Sequence, residues 1–119
     1  MANPNIVTTS SIYGRTDVLA VTTSLAAITS NGSSSGKVYK INSLIVSNVN
    51  GASAVDVSVE LRRSNTSYHL AKTLSIPADS TAIVVGKENP LYLLEGDSLR
   101  LVADASSAAE AICSYEEIG

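Results

Sequence analysis

His69 is the only histidine and Cys113 the only cysteine in the sequence. Either could do chemistry in the right company. A histidine acting as general base needs a nucleophile or substrate group within hydrogen-bond reach. A cysteine nucleophile needs a nearby base and an electropositive setting. No triad-like pattern surrounds His69, which falls mid-strand out of phase with Tyr68 and Leu70 and is expected to face solvent or a subunit contact. Cys113 sits among small and apolar residues, and Glu116 and Glu117 bring negative charge, so it reads as a buried free thiol. With a single cysteine no intrachain disulfide forms, and the redox compartment is unreadable.

The carboxylates Asp97, Asp104, Glu110, Glu116 and Glu117 raise the question of calcium. Calcium loops supply several oxygen ligands at short, regular spacing. Here the carboxylates are scattered, and turns and solvated edges account for them. Gly32, Gly36 and Gly51 fit neither glycine-rich phosphate-binding pattern. Asn65-Thr66-Ser67 matches the N-glycosylation acceptor, but no secretion signal accompanies it, so the match reads as chance. The sequence therefore assigns no catalytic, cofactor-binding or metal residue.

The five tyrosines, Tyr13, Tyr39, Tyr68, Tyr92 and Tyr115, are the only aromatics. Tyrosine has a large apolar body and a polar tip, which suits an interface anchor. It equally suits a sheet-edge core position with its hydroxyl wet. Tyr13, Tyr39, Tyr68 and Tyr92, with Ile6 and Val7, form the set of candidate interface residues.

The elements that must carry these residues are strands. In Val55 to Arg62, valine and leucine alternate with Asp56, Ser58, Glu60 and Arg62, which gives one apolar and one polar face. The preceding run is apolar at Tyr39 and Ile41, then switches phase to Leu44 and Val46. A switch near Asn42-Ser43 predicts a bulge or a corner where the strand changes sheets. The segment around Asn50-Gly51 predicts a reversal that makes the two runs a central hairpin.

Further strands are predicted at residues 17–23, 67–76, 81–85, 91–94, 98–103 and 110–117, the run at 81–85 being read as buried. Leu25 to Ile28 either extends the first strand or makes one helical turn. Residues 31–36 (NGSSSG) read as a flexible loop. Glu95-Gly96-Asp97 reads as a tight reversal from which Ser98 to Ala103 pairs back. Residues 1–11 are polar apart from Ile6-Val7. They read as an N-terminal arm, either frayed or ordered against a neighbouring subunit. Residues 12–119 then form one all-β domain, an antiparallel, jelly-roll-like β-sandwich of about eight strands.

The totals agree. A chain of 119 residues with 45% apolar composition can bury a core without metal or disulfide staples. With no Phe and no Trp, that core must be aliphatic. The net charge of −3 and the lack of any basic stripe argue against nucleic-acid binding. No run approaches the ~20 apolar residues of a membrane helix, and the start has no signal-peptide pattern. A soluble protein is expected. Only 16% of residues are charged, so the surface would need little charge desolvated on packing against another protein.

Beyond these patterns, Ser47-Asn48, Ile76 to Thr81, Pro90 to Asp97 and Ser114 to Ile118 resemble a group of small virion structural proteins of tailed bacteriophages, including cyanophages. Those proteins share a strand ending in SN, an I-P-A-x-S-T turn, a P-L-Y-L-x-E-G-D segment and a terminal S-Y-E-E-I. The resemblance spans about Val38 to the C-terminus. It implies a non-enzymatic β-sandwich of the virion, assembled in the host cytoplasm, with no cofactor. Its expected role is capsid decoration or cement, with the major capsid protein or other virion proteins and further copies of itself as partners. A neck, tail or fibre-attachment component is the alternative. A host- or carbohydrate-binding module is a third class, disfavoured by the absence of Trp. No nucleic-acid or membrane partner is expected.

Overall fold

The computed structural model describes residues 3–119. Nine strands follow in order: β1 (Ile12–Val21), β2 (Ala26–Ser30), β3 (Val38–Asn48), β4 (Val55–Arg63), β5 (Thr66–Ile76), β6 (Thr81–Val85), β7 (Leu91–Leu93), β8 (Ser98–Ala103) and β9 (Ala109–Ile118). Every pairing is antiparallel. Sheet A has the order β1-β9-β3-β6, with β7 also pairing along β3; sheet B has the order β2-β8-β4-β5. Six of the eight connections carry the chain from one sheet to the other. This is the two-layer, jelly-roll-like sandwich that the alternating runs predict.

The alternation of β4 holds from Val55 to Val59, where the valines are buried and Asp56 and Ser58 less so; beyond it the burial departs from the expected alternation, with Glu60 buried and Leu61 half-buried. They meet Ile41, Leu44 and Val46 of β3, Leu99 and Leu101 of β8, and Ala111 and Cys113 of β9 in one core. Burying each such aliphatic side chain stabilises the fold by roughly 1.5–3 kcal/mol. The phase switch in β3 is a bulge. Its register against β9 slips between Ile41 and Ser43, so Tyr39, Ile41, Leu44 and Val46 all face inward although their spacing changes.

Three expectations are corrected. β3 and β4 do not form a hairpin: β3 pairs with β9, β6 and β7, and β4 with β5 and β8. The turn at residues 48–54 is a corner between sheets, held because Asn48 N–H donates to the Ser80 carbonyl and Val49 N–H to that of Ala108. The hairpin is β4–β5, closed at Ser64 and Asn65, both with positive φ (52° and 62°), as a two-residue hairpin turn matching strand twist requires. Likewise β8 does not pair back on β7, since the Glu95-Gly96-Asp97 turn, with Gly96 at φ 86°, also passes between sheets. Finally, β6 is not a buried strand. It lies at the margin of sheet A, and its Ile83 points outward.

The helical alternative for residues 25–28 gives way to β2, which pairs with β8. The loop of residues 31–36 is tied down. Asn31 Nδ2 donates to the Lys37 and Leu93 carbonyls, Ser35 Oγ donates to Asn31 Oδ1, and Gly36 N–H donates to the Glu95 carboxylate at 2.7 Å.

Candidate functional site

The residues with chemical potential are engaged in structural contacts. His69 on β5 stands opposite Glu60 on β4, with Nε2 3.6 Å from Oε2. Glu60 also accepts a 2.6 Å hydrogen bond from Ser67 Oγ. Cys113 is buried in the core, and burial pushes its thiol up to about 11, the reverse of an activated nucleophile. Among the described residues no group of three or more His, Cys, Asp or Glu side chains could hold a metal ion. No helix among them is long and apolar enough to cross a membrane.

A polar cluster gathers where Tyr13, Glu117 and Tyr39 share one row across β1, β9 and β3. Glu117 lies 3.3 Å from both Arg15 NH2 and Lys37 Nζ. Burial alone would raise its carboxyl, but the hydrogen bonds and charges of Lys37 and Arg15 outweigh that and hold it below the usual carboxylate value. Arg15 also stacks over the Tyr13 ring at 5.6 Å. Tyr39 and Tyr115 stack with centroids 5.1 Å apart, and Tyr115 OH donates to Asp17 Oδ2 at 3.0 Å. Burial, then the Asp17 contact, raises the Tyr115 hydroxyl well above the ordinary tyrosine value. Glu117 is paired with Arg15 and Lys37, and Asp17 accepts from the hydroxyls of Tyr115 and Thr29, so the cluster closes the inner face of sheet A.

The candidate interface residues do not form one patch. Ile6 and Val7 lie on the exposed stretch before β1, Val7 at 86% exposure. That stretch turns where Thr8 N–H donates to the Asn5 carbonyl, and it is anchored where Ser11 Oγ donates to the Gly119 carbonyl and Glu95 N–H to Asn3 Oδ1. Met1 and Ala2 of the proposed arm lie outside the described residues. Tyr13 is exposed at the margin of sheet A, and Tyr68 is exposed on β5 in sheet B. Tyr92 pairs with Lys40, so it lies on the outer face of sheet A, whereas Tyr39 faces inward and is half-buried.

The feature that register does bring together is the outer face of sheet A. Val18 pairs with Ile112, Ile112 with Ile45, and Ile45 with Ile83. One apolar side chain from each of four strands thus forms a continuous row across the sheet. Val18 is 74% exposed, Ile83 72% and Ile112 40%. On one side lies the row Thr16, Ser114 and Ser43; on the other Ala20, Glu110, Ser47 and Thr81. Hydroxyl pairs link neighbouring strands within both flanks, Thr16 with Ser114 at 3.4 Å and Ser47 with Thr81 at 3.0 Å. Glu110 is the one charge in these three rows. Sheet B differs, its outer face carrying Arg62, Arg100 and His69 about a buried Glu60.

No family model and no curated protein matches the sequence. Among solved structures, one from the Bacillus endospore appendages, a family of disulfide-linked pili, overlays with a TM-score of 0.54 at 14% identity, covering 91% of this chain and 86% of its own. What the two share is the fold. Two structures of a pentameric capsid protein isolated from metagenomic phage sequences give TM-scores of 0.43 and 0.42 at 16% and 14% identity. They are matched over 87% of this chain but only 62% and 60% of theirs.

Sequence reasoning did not find the apolar row. Each member is a single hydrophobic residue on the outward phase of its own strand, and such residues are ordinary when scattered. Only the register of β1, β9, β3 and β6 shows that they are neighbours.

Proposed function

We propose that this chain is a non-enzymatic structural subunit of a tailed-phage particle, in the first instance a capsid decoration or cement protein. The observation that carries the reading is the contrast between the two outer faces. Sheet A presents an apolar row between nearly uncharged flanks, its Lys40 and Glu116 lying further along the strands, whereas sheet B carries Arg62, Arg100 and His69 across its middle. A face that needs little desolvation on contact suits a subunit that packs against protein. The resemblance over residues 76–81, 90–97 and 114–118 supplies the virion assignment.

A cement protein stabilises a shell by mass action, since whatever binds only the assembled state favours it. The edge of β1 and the stretch bearing Ile6 and Val7 supply further contact, the latter as an added strand on a neighbour's edge. The spore-appendage subunit that shares the fold forms disulfide-linked pili. In this chain the sole cysteine is buried, so such a link is not available to the folded subunit through Cys113. The carbohydrate-binding class loses support because Tyr39 and Tyr92 lie on opposite faces of sheet A and Tyr68 lies in sheet B. Mass spectrometry of purified particles tests the proposal: stoichiometric recovery of the chain agrees with it, and absence from particles refutes it.

A further inference from the structure

The structure assigns the outer face of sheet A to a second copy of this chain. The inference names the partner for the assembly reading above and rests on it, but its readout needs no particle. Two properties point to a copy as the occupant, and a third sets how tight the contact is.

The first is self-complementarity. A two-fold axis in the plane of contact, running along the apolar row, lays the row on itself with Val18 against Val18. An axis along the strands lays Val18 against Ile83 and Ile112 against Ile45. Either closed arrangement covers all four apolar side chains at once, and closure needs nothing beyond the patch itself.

The second is charge. Glu110 is the single charged residue of the three rows. Under the first axis it meets the copy's Ser114, and under the second the copy's Ser47. Neither arrangement opposes two carboxylates, and both give Glu110 a hydroxyl donor. An acidic partner has no complementary charge to meet on these rows, and a basic one would meet Glu110 alone.

The third is area. Four strands spaced ~4.8 Å apart and three rows spaced ~6.6 Å apart make a patch of roughly 400 Å². A stable specific interface covers about 800 Å² per partner. The patch therefore fits a weak, concentration-dependent contact of the kind that becomes firm when subunits are also held by an assembly.

The test is sedimentation velocity of the full chain over a broad concentration series, beside the double variant Val18→Glu/Ile83→Glu. Both positions are exposed, and under either axis the two substitutions oppose carboxylates across the contact. The inference expects wild-type mass to rise towards the dimer with concentration, and the double variant to remain monomeric with an unchanged melting temperature. Val18→Ser/Ile83→Ser, which adds no charge, must give the same loss should the first variant fold poorly. Val7→Glu, on the exposed stretch before β1, must leave association intact. A wild type that stays monomeric, or association that survives both double variants, overturns the inference. Self-association through this face by a chain absent from particles would uphold it while refuting the virion reading.

Discussion

Asn31 and Asn48 do the same work at opposite ends of β3. Each carboxamide donates two hydrogen bonds, one to a carbonyl of its adjoining connection and one to the last residue of another strand: Asn31 to Lys37 and Leu93 at 2.9 and 3.0 Å, Asn48 to Ser53 and Ile76, both at 2.9 Å. Both are 2% exposed. At each end, one buried amide holds together a corner where the chain leaves one sheet for the other.

Replacing either amide by a leucine of similar size should therefore be costly. Asn48→Leu leaves the carbonyls of Ser53 and Ile76 and the N–H of Asn50 without their partner. An unmet buried polar group costs about 1–3 kcal/mol, so a loss of about 2–4 kcal/mol is expected. Thermal unfolding should show a melting temperature lower by roughly 10 °C. Asn50→Ala, at the rim of the same turn, should cost far less.

Both asparagines also show what the sequence made legible. The alternation of β4 was readable because a half-buried strand writes its own period of two. The β3 bulge was readable because it shifts that period at Asn42-Ser43. The partner of each strand was not. Asn50-Gly51 marks a reversal whether the chain turns within a sheet or between sheets, and the partner of β3 is β9, which closes a loop of some sixty residues. Asn31 was hidden in a stretch whose composition reads as flexible, because a buried asparagine is distinguished only by the carbonyls it meets. The row Val18, Ile112, Ile45 and Ile83 was hidden for the same reason: its continuity belongs to the register.

Acid should expose the role of Glu117. Its folded value lies below the ordinary 4.5 because the hydrogen bonds of Lys37 and Arg15 overcome the effect of burial. A depressed carboxylate contributes stability that is fully present above the unfolded value and is lost as pH falls through the folded one. Melting temperature should therefore decline below about pH 4.5. Glu117→Gln should be less stable at pH 7 and should show a shallower decline across that window.

Alkali acts through Cys113. Burial raises its thiol from 9.0 to about 11, so the unfolded chain gives up this proton first. Its contribution is complete below pH 9 and fades between about pH 9 and 11, in total about 2–3 kcal/mol on the scale of 1.36 kcal/mol per unit. Cys113→Ala, although less stable overall, should lose part of this alkaline decline. In the native state the thiol should resist an aromatic disulfide reagent and react at once in denaturant.

Thr73 is strained. It holds φ at 54°, where a β-branched residue is disfavoured, at an irregular stretch of the β4–β5 pairing. Its N–H donates to Ser58 Oγ, a bond that a glycine would keep. Thr73→Gly should stabilise the domain by about 1 kcal/mol. Chemical denaturation should show a higher midpoint with an unchanged slope.

The stretch before β1 should matter to assembly more than to folding. Its side chains are mostly exposed, while the core is built from β1 onward. Deleting residues 1–11 should leave a domain with native-like circular dichroism and reduced incorporation into particles. Full incorporation after the deletion would remove this segment from the account.

The most direct measurement is a cryo-electron microscopy map of virus particles purified from the source of this chain. The account predicts nine-stranded sandwiches in many copies on the outside of the shell where capsomers meet, with the Val18–Ile83 row covered by protein. Particles whose maps contain no such sandwich, or contain it with that row facing solvent, would contradict it.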